Sequence, residues 1–209
     1  MSEAATALLD TLKSDDDGIA ALRQAFQPTG DPTAAAGGAQ PKHFGGLNLL
    51  AVVLIQRGRP EEAERYLRRA LSENSKSDST HYNYGMVLAM LNRPAEAAEQ
   101  FTKALALNPS AETFNSRGTI FNRLGQYVEA IADFDKAISI NPRYPDAYSN
   151  KGASLAELEL WDQSLSAHGT ALSLRSDFAE AWVGVGRALS GLGRSDDALS
   201  AFDKALAIN

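Results

Sequence analysis

One period organises most of this chain. Gly118, Gly152 and Gly186 stand 34 residues apart, inside the related strings TFNSRGTIF, AYSNKGASL and AWVGVGRAL. Twelve residues after each glycine come Ala130, Ser164 and Ala198. Sixteen after come Phe134, His168 and Phe202, and nineteen after come Ala137, Ala171 and Ala205. The same frame runs backwards through Gly85, Ala97, Phe101, Ala104 and Pro109, then through Ala51, Ala63, Leu67 and Ala70. The resulting units are 44–77, 78–110, 111–144, 145–178 and 179–209. A period of this length is the mark of a repeat architecture and settles more about the fold than any single motif.

Within a unit the spacing is that of two amphipathic helices. Phe114, Arg117, Gly118 and Phe121 form one stripe and Ala130, Ile131, Phe134, Ala137 and Ile138 another, at the i, i+3, i+4, i+7 intervals of a helix face. Leu124-Gly125-Gln126 separates them. Small residues at places 8, 20 and 27 of the unit allow two helix backbones to approach closely, and the large residue at place 24 fills the space beside them. One such hairpin cannot bury its own apolar face, whereas stacked neighbours can, which predicts a solenoid.

The pattern resembles the tetratricopeptide repeat (TPR) family. The residues that carry the resemblance are Phe114, Gly118, Phe121, Tyr127, Ala130, Phe134, Ala137 and Pro142, together with Trp182 to Gly186, and it extends over 44–209. It implies an all-α fold, a right-handed α-solenoid of about five stacked antiparallel helix hairpins. It also implies peptide or protein binding on a concave face lined by the first helix of each hairpin, and no intrinsic catalysis. The array is similar to those of protein O-GlcNAc transferases and other bacterial TPR proteins.

Ahead of the array, residues 3–13 and 15–26 read as short helices, with Ser14 as an N-cap and the Asp15-Asp16-Asp17 run at a helix start. They form an N-terminal helical extension, or the remnant of a capping unit. Residues 27–43, rich in Pro, Gly and Ala, read as a linker.

The chain carries a net charge of -6, which argues against nucleic acid or an anionic membrane as the main partner. It has no Cys, which removes disulfides and thiolate chemistry and fits a reducing compartment. Neither a basic, apolar leader nor a run of about 18–20 apolar residues is found, so a cytoplasmic location is expected. His43, His81 and His168 lack partners at metal-ligand spacing, and no serine lies in a nucleophile elbow. Gly184-Val185-Gly186 opens like a dinucleotide loop, but Leu189 stands where the third glycine belongs. No cofactor, metal or catalytic residue is therefore assigned.

Two departures from the repeat remain. Place 7 carries Arg117 and Lys151, whose charged heads need water or an acidic partner on a second helix, with Asp133 and Asp135 as candidates. The fourth unit has Ser164, His168, Gly169 and Ser176 where the pattern wants other residues, which predicts the softest hairpin.

The resemblance places certain positions of each first helix in the groove, and these give the candidate site: Asn48, Tyr82, Asn83, Met86, Asn115, Thr119, Asn122, Arg123, Asp146, Ser149, Asn150, Glu157 and Arg187. The Lys and Asn pair with which chaperone-binding members clamp a terminal carboxylate is missing. Asn83 and Asn150 match the asparagine ladder of the O-GlcNAc transferase array, with Asn48 and Asn115 one place earlier. An amide can donate to and accept from a peptide backbone at once, giving affinity with little sequence dependence. The expected partner is a protein or extended peptide held by a non-enzymatic scaffold. The alternative is a substrate-recognition arm of a larger enzyme, such as a glycosyltransferase whose catalytic domain follows residue 209. The seam beside Leu199, Phe202 and Leu206 lacks a polar terminal helix, which suggests either a piece of a longer protein or self-association through that end.

Overall fold

The computed structural model describes residues 44–208, and the expectations placed on 1–43 lie outside them. All regular structure in this range is helical. In chain order the helices are α1 (Phe44–Gln56), α2 (Pro60–Glu73), α3 (Asp78–Met90), α4 (Pro94–Leu107), α5 (Ala111–Arg123), α6 (Tyr127–Ile140), α7 (Pro145–Glu157), α8 (Trp161–Leu174), α9 (Ala179–Gly191) and α10 (Ser195–Leu206). The fold is the all-α TPR solenoid type, built of helix hairpins that pack in sequence order within each of its units. Two compact units result, divided between Leu107 and Asn108. The first contains α1 to α4, where α3 packs on both α2 and α1. The second contains α5 to α10, where α7 packs on α6 and α5, and α9 on α8 and α7.

Helix starts follow local chemistry. Pro60 and Pro145 occupy first-turn positions where a missing N–H costs nothing. The Ser77 and Ser110 hydroxyls accept from the Thr80 and Thr113 amides, each at 3.2 Å. The turn inside every hairpin is one device used five times. After the first helix, the chain enters the left-handed region at Gly58, Asn92, Gly125, Glu159 and Gly193, at φ between 57° and 75°. In the fourth hairpin the Leu160 N–H donates to the Leu155 carbonyl and the Glu159 N–H to the Ala156 carbonyl, both at 3.0 Å. This is the Schellman closure, in which the left-handed residue turns the chain so that the last carbonyls are satisfied. A side chain in that conformation costs about 1–2 kcal/mol, which glycine avoids. Glu159→Gly is therefore expected to stabilise the protein by about 0.5–1 kcal/mol once the extra freedom of the unfolded chain is subtracted. Urea unfolding midpoints of the two proteins check this.

The core lies between the two helices of each hairpin. A Cβ placed on Gly118 would lie 2.8 Å from the Phe134 ring, and one on Gly85 would lie 2.7 Å from the Phe101 ring. Phe101, Phe134, Ala97, Ala104, Ala130 and Ala137 are fully or almost fully buried. The small residues thus set the helix spacing and the aromatic ring fills it. Where glycine is Ala51, the opposing ring is replaced by Leu67, also fully buried.

The two irregular features have structural partners. The Arg117 guanidinium makes a bidentate pair with Asp133, Nε to Oδ2 at 2.7 Å and Nη2 to Oδ1 at 2.8 Å. Lys151 Nζ reaches Asp135 Oδ1 at 2.6 Å, on the second helix of the preceding hairpin. In α8, the Ser164 hydroxyl donates to the Gly152 carbonyl at 2.8 Å, and His168 is buried in the place of the usual Phe. Two of the departures in this helix, Ser164 and His168, thus have partners in the packing.

Candidate functional site

The first helices α1 and α3 of the first unit, and α5, α7 and α9 of the second, are neighbours, so each unit carries a face made from first helices. In the first unit, Asn83 Nδ2 donates to Asn48 Oδ1 at 3.0 Å. In the second, Asn150 Nδ2 donates to Asn115 Oδ1, also at 3.0 Å. Both pairs span 35 residues, one more than the period, so place 5 of one hairpin meets place 6 of the next. Each amide pair forms its bond with one N–H and one carbonyl, which leaves the remaining donors and the outer carbonyl for a ligand.

The other candidates fall into distinct settings. Tyr82 lies with its ring 5.6 Å from that of Phe101, tilted by 54°, so the phenol covers the core of its hairpin. Met86 and Asn122 are half-buried, and Arg123 is exposed. The Thr119 hydroxyl donates back to the Asn115 carbonyl at 2.9 Å and follows its own helix. Arg187 Nη2 pairs with Glu157 Oε1 at 2.9 Å, joining α7 to α9 across the face. Asp146, expected to project into the groove, is engaged by Arg175 Nη2 at 2.8 Å. That guanidinium also lies 3.5 Å over the Phe178 ring. Ser149 is buried, with its Oγ 3.4 Å from His168 Nδ1.

Between α7 and α9 a cleft of about 170 Å³ opens, lined by Ser149, Asn150, Ala153, His168, Gly184 and Arg187 among others. Two glycines make room for its floor. A Cβ on Gly152 would lie 2.7 Å from the His168 ring, and one on Gly184 only 2.2 Å from it. The imidazole is therefore clasped between the first helices of two successive hairpins. Burial, followed by the nearby Arg187 charge, pushes its pKa down to about 4, so the ring is neutral near pH 7. Gly184, which as sequence resembles a fragment of a nucleotide loop, has this packing role. The signal that reveals it is His168, sixteen residues earlier, the same interval that separates Gly152 from His168.

Each unit thus carries a polar, hydrogen-bonding face, with one asparagine pair in the first and the other pair, the clasped histidine and the ion pair in the second; no cluster of three or more metal-binding side chains occurs among the described residues. No helix among them is long and apolar enough to cross a membrane. Residues 33–79, 48–112 and 149–209 match the family described as tetratricopeptide repeat, and residues 118–159 match one described as TPR repeat. Comparison with curated proteins gave no significant match. Among solved structures, the chain is similar to a MamA crystal structure, with 25% identity, a TM-score of 0.69, and coverage of 76% of this chain and 93% of that one. It is also similar to YrrB, described as a TPR protein with an unusual peptide-binding site, with 24% identity, a TM-score of 0.66 and coverage of 78% and 85%. A tetratricopeptide repeat protein from Parabacteroides merdae aligns over 99% of this chain and 78% of its own, with 20% identity and a TM-score of 0.77. The repeat frame, the hairpins and these matches agree, and the chain belongs to the tetratricopeptide repeat family.

Proposed function

We propose that this protein is a protein–protein interaction scaffold that holds an extended peptide segment along the faces made by its first helices. The observation that carries this reading is the Asn48–Asn83 and Asn115–Asn150 pairing, at 3.0 Å in both cases. Hydrogen bonding between the amides fixes their rotamers, so little side-chain entropy is lost when a ligand arrives. What they then offer is a mixed donor and acceptor surface that matches the alternating N–H and C=O of an extended backbone. The peptide-binding site described for YrrB supports a peptide as the partner.

Asn83→Ala combined with Asn150→Ala removes the outer member of each pair. Each lost hydrogen bond is worth about 0.5–1.5 kcal/mol, so the affinity for the partner should fall by about fivefold or more. Quantitative pull-down with the wild-type and double-variant chains, both verified as folded by circular dichroism, measures this. Equal recovery of the same partners by both proteins rules the amide-directed mode out.

A further inference from the structure

In three hairpins the residue at place 4 is met by a polar or charged side chain. His81 Nδ1 lies 2.9 Å from Gln100 Oε1. Phe114 has the Arg117 guanidinium 5.8 Å from its ring centre, with Phe121 at 5.5 Å on the same cation. Trp182 has Lys204 Nζ at 4.5 Å. The fourth hairpin departs from this. The seat of Arg117 has its counterparts 34 residues on in Tyr148, Lys151, Leu155 and Ala167, which stand for Phe114, Arg117, Phe121 and Asp133. Lys151 has swung to Asp135, and Ala167 is too short to replace the carboxylate. A cleft of about 400 Å³ opens there between α7 and α8, walled by Tyr148, Leu155 and Ala167 and edged by two charged groups, Asp162 and the Lys151 that pairs with Asp135.

We infer that this cleft receives the guanidinium of an arginine side chain from a partner polypeptide. The third hairpin of the same chain displays the chemistry that such a seat holds, a planar cation against two aromatic rings with a carboxylate at hand, and in the fourth Leu155 takes the place of the second ring. In the fourth, Tyr148 presents the ring, Leu155 the apolar wall and Asp162 the carboxylate. The Lys151 charge is balanced by Asp135, so Asp162 sets the sign of the site. Arginine fits better than lysine because its flat, weakly hydrated head stacks on a ring while it pairs with an acid. The volume lies in the usual range of about 300–1,000 Å³ for ligand pockets. The acidic balance of the chain favours the approach of a basic segment. The site is separate from the asparagine pairs and does not depend on what they bind.

The test is a titration of the full chain, observed by nitrogen-15 NMR, with the blocked tripeptide Gly-Arg-Gly and with its citrulline counterpart, which has the same shape and no charge. Saturable shifts at Tyr148, Asp162 and Ala167, at least tenfold weaker for citrulline, are expected. Asp162→Asn should weaken the arginine response several-fold. Lys151→Arg with Ala167→Asp rebuilds the third hairpin's arrangement inside the fourth, fills the cleft and should abolish the response. Ala167→Leu fills it without charge and should do the same if the double variant does not fold. An equal response to citrulline, a response that survives filling, or the absence of saturable shifts at these residues overturns the proposal.

Discussion

Replacing Arg117 by Ala should destabilise the protein by about 3 kcal/mol, whereas Lys151→Ala, at the same place in the next hairpin, should change it by about 0.5 kcal/mol or less. The difference lies in the acid left behind. The Asp133 side chain is 7% exposed and Arg117 18%, and two parallel hydrogen bonds hold them. Removing the guanidinium strands a carboxylate in the seam of the hairpin, and breaking a buried pair in this way costs about 3–5 kcal/mol. The lower end of that range applies because Arg117 is not wholly enclosed. Asp135 is 52% exposed, so water takes over its solvation when Lys151 is lost, and such surface pairs are worth about 0–1 kcal/mol. Arg117→Met with Asp133→Leu should recover most of the loss, because no unpaired charge then remains. Urea denaturation of the four proteins decides it. A loss for Arg117→Ala no larger than that for Lys151→Ala refutes the assignment of the buried pair.

The contrast shows which parts of the structure are legible in the sequence. The hairpins are, because every unit repeats the same local contacts: the glycine at place 8 meets the ring at place 24 sixteen residues later, inside one hairpin. Asp133 and Asp135 are also legible as the partners of Arg117 and Lys151, since each acid lies on a second helix within reach of the base. The amide pairs are harder to read, because Asn48 to Asn83 and Asn115 to Asn150 span 35 residues and connect different places of the frame. A frame that compares like positions misses a contact that advances by one. Asp146 shows the same limit. The family pattern gives it a place in the groove, but its ion pair with Arg175, 29 residues on at the end of α8, connects unlike places of the frame and has no signal in the repeat. Glu159 is illegible for another reason: the left-handed conformation is imposed by the hairpin closure, and the residue type gives no sign of it.

Acid should weaken this protein before its carboxylates titrate, and His168 is the cause. The ring stays neutral in the folded protein, with its pKa lowered to about 4 from an ordinary 6.5, chiefly by burial and then by Arg187. The unfolded chain takes up a proton near pH 6.5, but the folded protein does so only near pH 4. Stability attributable to this group is therefore complete above pH 6.5 and is lost as the pH falls from 6.5 towards 4. A shift of this size corresponds to about 3 kcal/mol at the acid end of the window. The position of the ring makes the loss structural, because it touches Gly152 on one side and Gly184 on the other, and a charged imidazole there would face the Arg187 cation. His168→Phe restores the ring type of the other hairpins and removes the proton, so its stability should be flat between pH 6.5 and 5. Wild-type stability should fall by about 1–2 kcal/mol over the same interval. Thermal melts of both proteins at half-unit steps of pH measure the difference. Parallel curves would move the acid sensitivity to some other group, and a wild-type curve that bends while the variant stays level fixes it on the histidine held between the two glycines.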